Sequence, residues 1–236
     1  MSGEKRGQKR TSLNSHKIKL QAAGFLLVWV ALTSSCHLAP VRVIPSSEVK
    51  SIRAEGSFFY RGEAGQGRSR LLYYLQSPDH IRLEIFNPFG GLAYILWLNG
   101  AQASLYLPGQ KVFWEGDGRK LTAEFLGGAV TASELVCLLS GRKKELTRSQ
   151  GWHLLGRGPE DFYAGEKGDW KFEIKEFFKG GEIPRTIYFE NPEQVVRLRI
   201  LKIKFNQMFK SDVFDPSYSP AAIKLSWEEI TTIWKK

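Results

Sequence analysis

The chain has 236 residues, 42% of them hydrophobic, enough for one domain with a sizeable core plus appendages. Its formal net charge is +10, but residues 1–35 carry six Lys or Arg and one acid, so the remainder is only moderately basic at +5. The basic residues of that remainder are spread along strands as the outward half of an alternation, which argues against a nucleic-acid partner and at most suits a surface near anionic headgroups.

Met1 to Lys19 is polar and basic, and Leu20 to Leu32 is a 13-residue run, apolar except for Gln21. Thr33, Ser34 and Ser35 are small, and Cys36 follows. This is the order of a secretory signal, too short for a comfortable membrane span. Small residues ahead of a cysteine resemble the bacterial lipoprotein signal, although Thr33 stands where that signal usually has Leu. The resemblance implies that Cys36 is acylated and becomes the new N-terminus. An uncleaved anchor and ordinary signal cleavage are the alternatives. Residues 36–48, with Pro40, Pro45 and two serines, read as a tether.

Beyond the tether the pattern is period two. Ile52, Ala54, Gly56, Phe58 and Tyr60 share one strand face. After a Gly-rich turn, Leu71, Tyr73 and Leu75 share another, and Ile81, Leu83 and Ile85 a third. Asn87-Pro88 breaks that strand and Gly90-Gly91 reverses it, leaving Phe89, a large apolar side chain, at a turn tip. Locally, Phe89 either folds back onto the core or projects outward. Leu92 to Leu98, the Asn99-Gly100 turn, Ala101 to Leu107 and Val112 to Trp114 complete a six-strand meander.

A helical interruption follows. Leu121 to Leu126 is short. Thr131 to Glu134 has capping-box spacing ahead of Leu135, Val136, Leu138 and Leu139, with Gly141 where a helix stops. Cys137 lies on its apolar face as a small core residue, and no disulfide is expected. Residues 143–149 read as loop. Strands resume at 152–157, at Trp170, Phe172 and Ile174, and at Ile183 to Glu190 with Ile187 and Phe189 on one face. A last long strand changes parity after Ile200, so a bulge is predicted near Leu201. Asn206 to Lys236 is an extension whose alternating Ile223 to Trp227 suggests one more strand. The expectation is a mainly β chain whose long antiparallel sheet curls, with the helices near 120–140 as a lid. A curled sheet can be filled by its own side chains or can enclose a cavity.

The segment AEGSFFYRGE, the NPFGG turn, the capped SELVCLLSGR helix and the GDWKFEIKEF, IPRTIYFE and VRLRILKI strands occur in the order seen in LolB-like outer-membrane lipoproteins. Over residues 49–205 the chain resembles that branch of the LolA/LolB superfamily. The resemblance implies an open, half-closed antiparallel barrel of ten or eleven strands with short helices plugging its mouth. It also implies a lipid-anchored monomer at the outer membrane, facing the periplasm. Its partners would be the acyl chains of lipoproteins, a LolA-like periplasmic carrier and the outer-membrane bilayer. Phe89, with Pro88, Gly90 and Leu92, occupies the position of the family's protruding membrane-insertion loop. Phe58, Tyr60, Leu71, Tyr73, Ile81, Leu83, Ile85, Phe172, Ile174, Ile187 and Phe189 would line the cavity. The function implied is acceptance of acylated lipoproteins and their insertion into the outer membrane. Binding of another lipid, or a scaffold role with a filled barrel, stands beside it.

No Gly-x-Ser-x-Gly, His-Glu-x-x-His or Cys-x-x-Cys occurs, and His16, His37, His80 and His153 are far apart. Neither an enzymatic activity, nor a cofactor, nor a metal is expected.

Overall fold

The computed structural model describes residues 44–63, 65–149, 151–156, 162–179 and 181–234. The leader, Cys36 and most of the tether lie outside the described residues, and Arg42–Lys236 forms a compact unit of its own. The alternating segments become β1 (Ser51–Gly62), β2 (Gly65–Gln76), β3 (His80–Phe86), β4 (Leu92–Asn99), β5 (Gln102–Leu107) and β6 (Val112–Asp117). Three helices follow, α1 (Gly118–Leu126), α2 (Ala132–Ser140) and α3 (Lys143–Leu146). Then come β7 (His153–Gly156), β8 (Phe162–Lys167), β9 (Trp170–Phe177), β10 (Pro184–Glu190), β11 (Gln194–Phe205), β12 (Ile223–Lys224) and α4 (Trp227–Trp234).

All twelve strands belong to one sheet, ordered β12-β6-β5-β4-β3-β2-β1-β11-β10-β9-β8-β7. Two meanders are joined back to back where β1 pairs with β11. Every pairing is antiparallel except β12 with β6. Because β6 and β7 lie towards opposite edges, the chain between them has to cross the sheet, and α1–α3 make that crossing. Of these, α2 touches β3 in one meander and β10 in the other.

Inward residues form one continuous core, with Ile52, Leu71, Tyr73, Leu75, Ile81, Ile85, Leu105, Ile187, Val196 and Ile200 almost fully buried. The predicted bulge is present: Glu55 pairs with Lys202 and Gly56 with Ile200, so Leu201 faces no residue and is 52% exposed. Gly56 has a reason to be glycine, since a Cβ there would run into the Arg199 carbonyl. The helix boundaries also agree, with the Thr131–Glu134 capping box formed and Gly141 left-handed at φ 73.

Three elements depart from the sequence reading. The strand count is twelve, partly because Phe162–Lys167 is a strand whose inward position opposite Phe172 is Gly165, with no side chain and lying against the Phe172 ring, so no apolar alternation announces it. Lys143–Leu146 is a single helical turn rather than loop. The extension adds the expected strand, only two residues long, and then an unforeseen helix.

That extension embraces the sheet. After β11 it runs over the convex face, where Phe209 meets Tyr74 and Phe214 meets His80 edge-on. Arg82 donates to the Val213 carbonyl at 3.1 Å and Asn99 to the Phe214 carbonyl at 2.8 Å. Tyr218 stacks on Phe113 and packs on Trp97 and Tyr106. The chain then rounds the β6 edge as β12 and enters the concave side as α4. There Trp227 packs on Trp114, and Ile230 is fully buried.

Candidate functional site

Antiparallel pairing decides what meets at each end of the sheet. Gly62 pairs with Gly65 and Arg70 with Phe86, so the β1–β2 hairpin and the β3–β4 turn carrying Phe89 lie at the same end.

Phe89 is 97% exposed. The turn beneath it satisfies its own polar groups. The Asn87 side-chain oxygen accepts from the amides of Phe89 at 3.0 Å and Gly91 at 2.9 Å, and the Asn87 amide donates to the Gly91 carbonyl. Gly90 takes a φ of 86 that a side chain would strain. The tip is therefore held out rather than left loose. Pro88 and Gly90 are exposed with it, whereas Leu92 is half-buried against the convex cluster of Ile95, Trp97 and Tyr106 and does not project.

At the same end an aromatic cleft of about 280 Å³ opens between the sheet and the helices. Its walls are Phe58, Tyr60, Tyr94, Phe125 and Trp234, and Gln66, Ser69 and Glu124 are among the residues at its polar side. The walls also pack on one another. Phe125 lies 5.0 Å from Phe58 and stacks on Trp234 at 5.3 Å, while Tyr94 meets Phe125 edge-on at 5.7 Å. Burial pushes the Tyr94 hydroxyl well above its ordinary pKa, so the cleft wall stays uncharged. An aromatic-walled cleft with a few polar groups at one side suits an apolar ligand with a polar end.

Of the eleven residues expected along a cavity, Phe58 and Tyr60 line this cleft. Leu71, Tyr73, Ile81, Ile85, Phe172, Ile174, Ile187 and Phe189 are buried in the continuous core, and Leu83 is half-buried against it. The sheet interior is thus packed along most of its length. The Tyr73 hydroxyl lies there without a hydrogen-bond partner among the described residues, and burial raises its pKa. Trp234, Phe125 and Tyr94 had no assigned role in the sequence reading. The signal for Trp234 was present: Ser226 and Glu229 form a capping box, and Trp227, Ile230 and Trp234 recur at helical spacing.

The lid is fixed elsewhere by one buried carboxylate. Glu134, 5% exposed, accepts from Lys167 at 2.7 Å, Ser149 at 2.6 Å, the Trp152 indole at 2.8 Å and the Thr131 amide at 2.8 Å. Burial alone would raise its pKa, but these donors outweigh it and hold the group at about 2. Cys137 beside it is buried and its thiol is pushed up to about 11, chiefly by that burial. Among the described residues no group of three or more His, Cys, Asp or Glu is arranged to hold a metal.

No family model matches the chain, and no curated protein matches it in sequence. Solved structures do. A DUF1329 family protein from Desulfovibrio piger is 10% identical with a TM-score of 0.50, over 72% of this chain and 91% of that one. The Desulfovibrio protein shares this fold. A LolA superfamily protein from Nitrosomonas europaea covers the same shares, 72% and 91%, at 10% identity and a TM-score of 0.48. At such identity the likeness is one of architecture. The half-open antiparallel sheet with helices across its mouth is the architecture that the sequence resemblance implied.

Proposed function

We propose that the chain is a lipid-anchored outer-membrane protein, facing the periplasm, that takes up the acyl part of a lipoprotein and passes it to the bilayer. In this reading Cys36 anchors the chain, and Phe89 on its Pro88–Gly90 turn enters the membrane. The cleft walled by Phe58, Tyr60, Tyr94, Phe125 and Trp234 receives the acyl chain. The remaining inward residues from Leu71 to Phe189 form the apolar interior that backs it. No bond is made or broken; the acyl chain moves from one apolar environment to another, so the step needs no energy source beyond a modest affinity difference.

One observation carries the reading. Among the described residues, the most exposed aromatic side chain stands on a self-bonded turn at the same end of the sheet as the mouth of the cleft. Full burial of a Phe side chain stabilises by about 1.5–3 kcal/mol, enough to pay for holding it in water when a bilayer is near. The cleft volume of about 280 Å³ lies at the lower end of ligand pockets. It favours one chain over several, and cargo with several acyl chains requires α4 to move. A single-chain lipid as the ligand is the second reading, and the same volume favours it.

The test loads a fluorescent acylated lipoprotein onto the Arg42–Lys236 unit from a LolA-like donor and then adds outer-membrane vesicles. Phe89→Glu is expected to take up cargo normally and to release almost none. If it releases cargo at the wild-type rate, the insertion role is wrong. Uptake of a fluorescent fatty acid but not of the lipoprotein moves the function to lipid binding.

A further inference from the structure

In sequence the basic residues look dispersed, but sheet register gathers some of them. On the convex face Arg68 lies opposite Phe59, which lies opposite Arg197; one step along, Arg70 lies opposite Ser57, which lies opposite Arg199. Strands about 5 Å apart place the outer members of each row within about 10 Å. Arg61, at the end of β1, extends the group towards the hairpin. None of Arg61, Arg68, Arg70, Arg197 and Arg199 has a carboxylate at ion-pair distance among the described residues. Their basic neighbours Arg82 and Lys202 do, with Glu84 and Glu55. Two of these guanidiniums instead lie over half-buried rings. Arg70 sits 4.7 Å from the Phe86 ring, and Arg197 5.4 Å from Phe59 and 6.0 Å from Tyr188. Phe86 is three residues before Phe89, so the cluster borders the exposed tip.

We propose that this arginine face is a docking surface for the phosphate layer of an anionic phospholipid bilayer. Gathered like charges without acidic partners are balanced by an anionic surface. Guanidinium binds phosphate oxygens in pairs, and aromatic rings beside the charges suit the depth of the headgroups. The surface rests on the reading that this end of the sheet meets a membrane. It adds that the membrane must be negatively charged and that the convex side is the one turned down onto it.

The test measures binding of the Arg42–Lys236 unit to vesicles of phosphatidylcholine alone and of phosphatidylcholine with phosphatidylglycerol, at low and high salt. Wild-type protein is expected to prefer the anionic vesicles and to lose the preference with salt. The triple variant Arg68→Gln, Arg70→Gln, Arg199→Gln should weaken anionic binding by about a hundredfold, at about fivefold per arginine near the surface. Its binding to neutral vesicles and its melting temperature should not change. Lysine at the same three positions should restore most of the preference. Phe89→Ser should weaken binding to both kinds of vesicle, which separates tip from charge. Anionic binding by the glutamine triple variant equal to wild type would overturn the proposal. So would a wild-type preference for an acidic protein over the anionic vesicles. If arginine dependence holds but no acyl ligand is taken up, the docking surface stands and the transfer function falls.

Discussion

Of the helices that close the concave side of the sheet, two are held by different forces. The inner helix α2 is fixed by a charged hub: Glu134 receives four kinds of donor from its own N-cap, the following loop and β8. The outer helix α4 is attached mainly through apolar contacts, Trp227 on Trp114, Trp234 on Phe125 and Tyr94, and Ile230 in the core, with one exposed ion pair from Glu228 to Lys120. Directional bonds to a buried charge make α2 an all-or-none part of the fold. Stacking and dispersion are individually small and tolerate sliding, so α4 is the wall of the cleft that can give.

Breaking the hub should do the most damage. Glu134→Ala leaves Lys167, Ser149 and the Trp152 indole without their acceptor, and the loss is expected to be about 3–5 kcal/mol by denaturant titration. The hub also sets a pH dependence. The folded pKa of about 2 lies below the ordinary 4.5. Its contribution is therefore complete above about pH 4.5 and fades as pH falls towards 2. Glu134→Gln should flatten the stability curve across that window. If the wild-type and Gln curves run parallel there, the hub is not what fixes α2.

On the other helix, Ile230→Ala removes a fully buried side chain and should cost about 2–4 kcal/mol. Trp234→Ala is the sharper probe of the difference. Half-buried at the cleft rim, it should cost only about 1–2 kcal/mol while enlarging the cleft. Affinity for a fluorescent fatty acid, or for cargo with several acyl chains, should rise. Unchanged ligand binding would mean that α4 is not the limiting wall. The smallest effect on stability belongs to Phe89→Glu, within about 0.5 kcal/mol, because its side chain touches almost nothing. A melting temperature lowered by many degrees would show that the tip is part of the core.

Most of this plan was legible as alternation. Strands with large inward side chains, the NPFGG turn, the capping box and the Leu201 bulge all follow from residue spacing. What stayed hidden was of two kinds. β8 turns inward a glycine, Gly165, that carries no period-two signal. The Ser226–Glu229 capping box is masked in the sequence because the Ile223-to-Trp227 alternation reads as strand up to the residue where the helix begins. The arginine cluster was invisible for a different reason. Its members are separated by up to 138 positions along the chain, and only register brings them side by side. Likewise the cleft is made by Trp234 meeting Phe125 and Tyr94, and Phe125 meeting Phe58, contacts between distant segments that no local pattern encodes.

An open sheet carries a hazard that a closed barrel avoids: its outermost strands offer unpaired amides and carbonyls to any passing chain. Here the β12 segment, short as it is, occupies part of the β6 edge. The Ile223 amide donates to the Lys111 carbonyl and the Leu225 amide to the Phe113 carbonyl. The opposite edge is only the four-residue β7. The C-terminal segment thus serves as a guard against polymerisation as well as a wall of the cleft. A chain ending at Asn206 would bare β6 together with Trp97, Tyr106 and Phe113 beside it, and it should associate with itself through that edge.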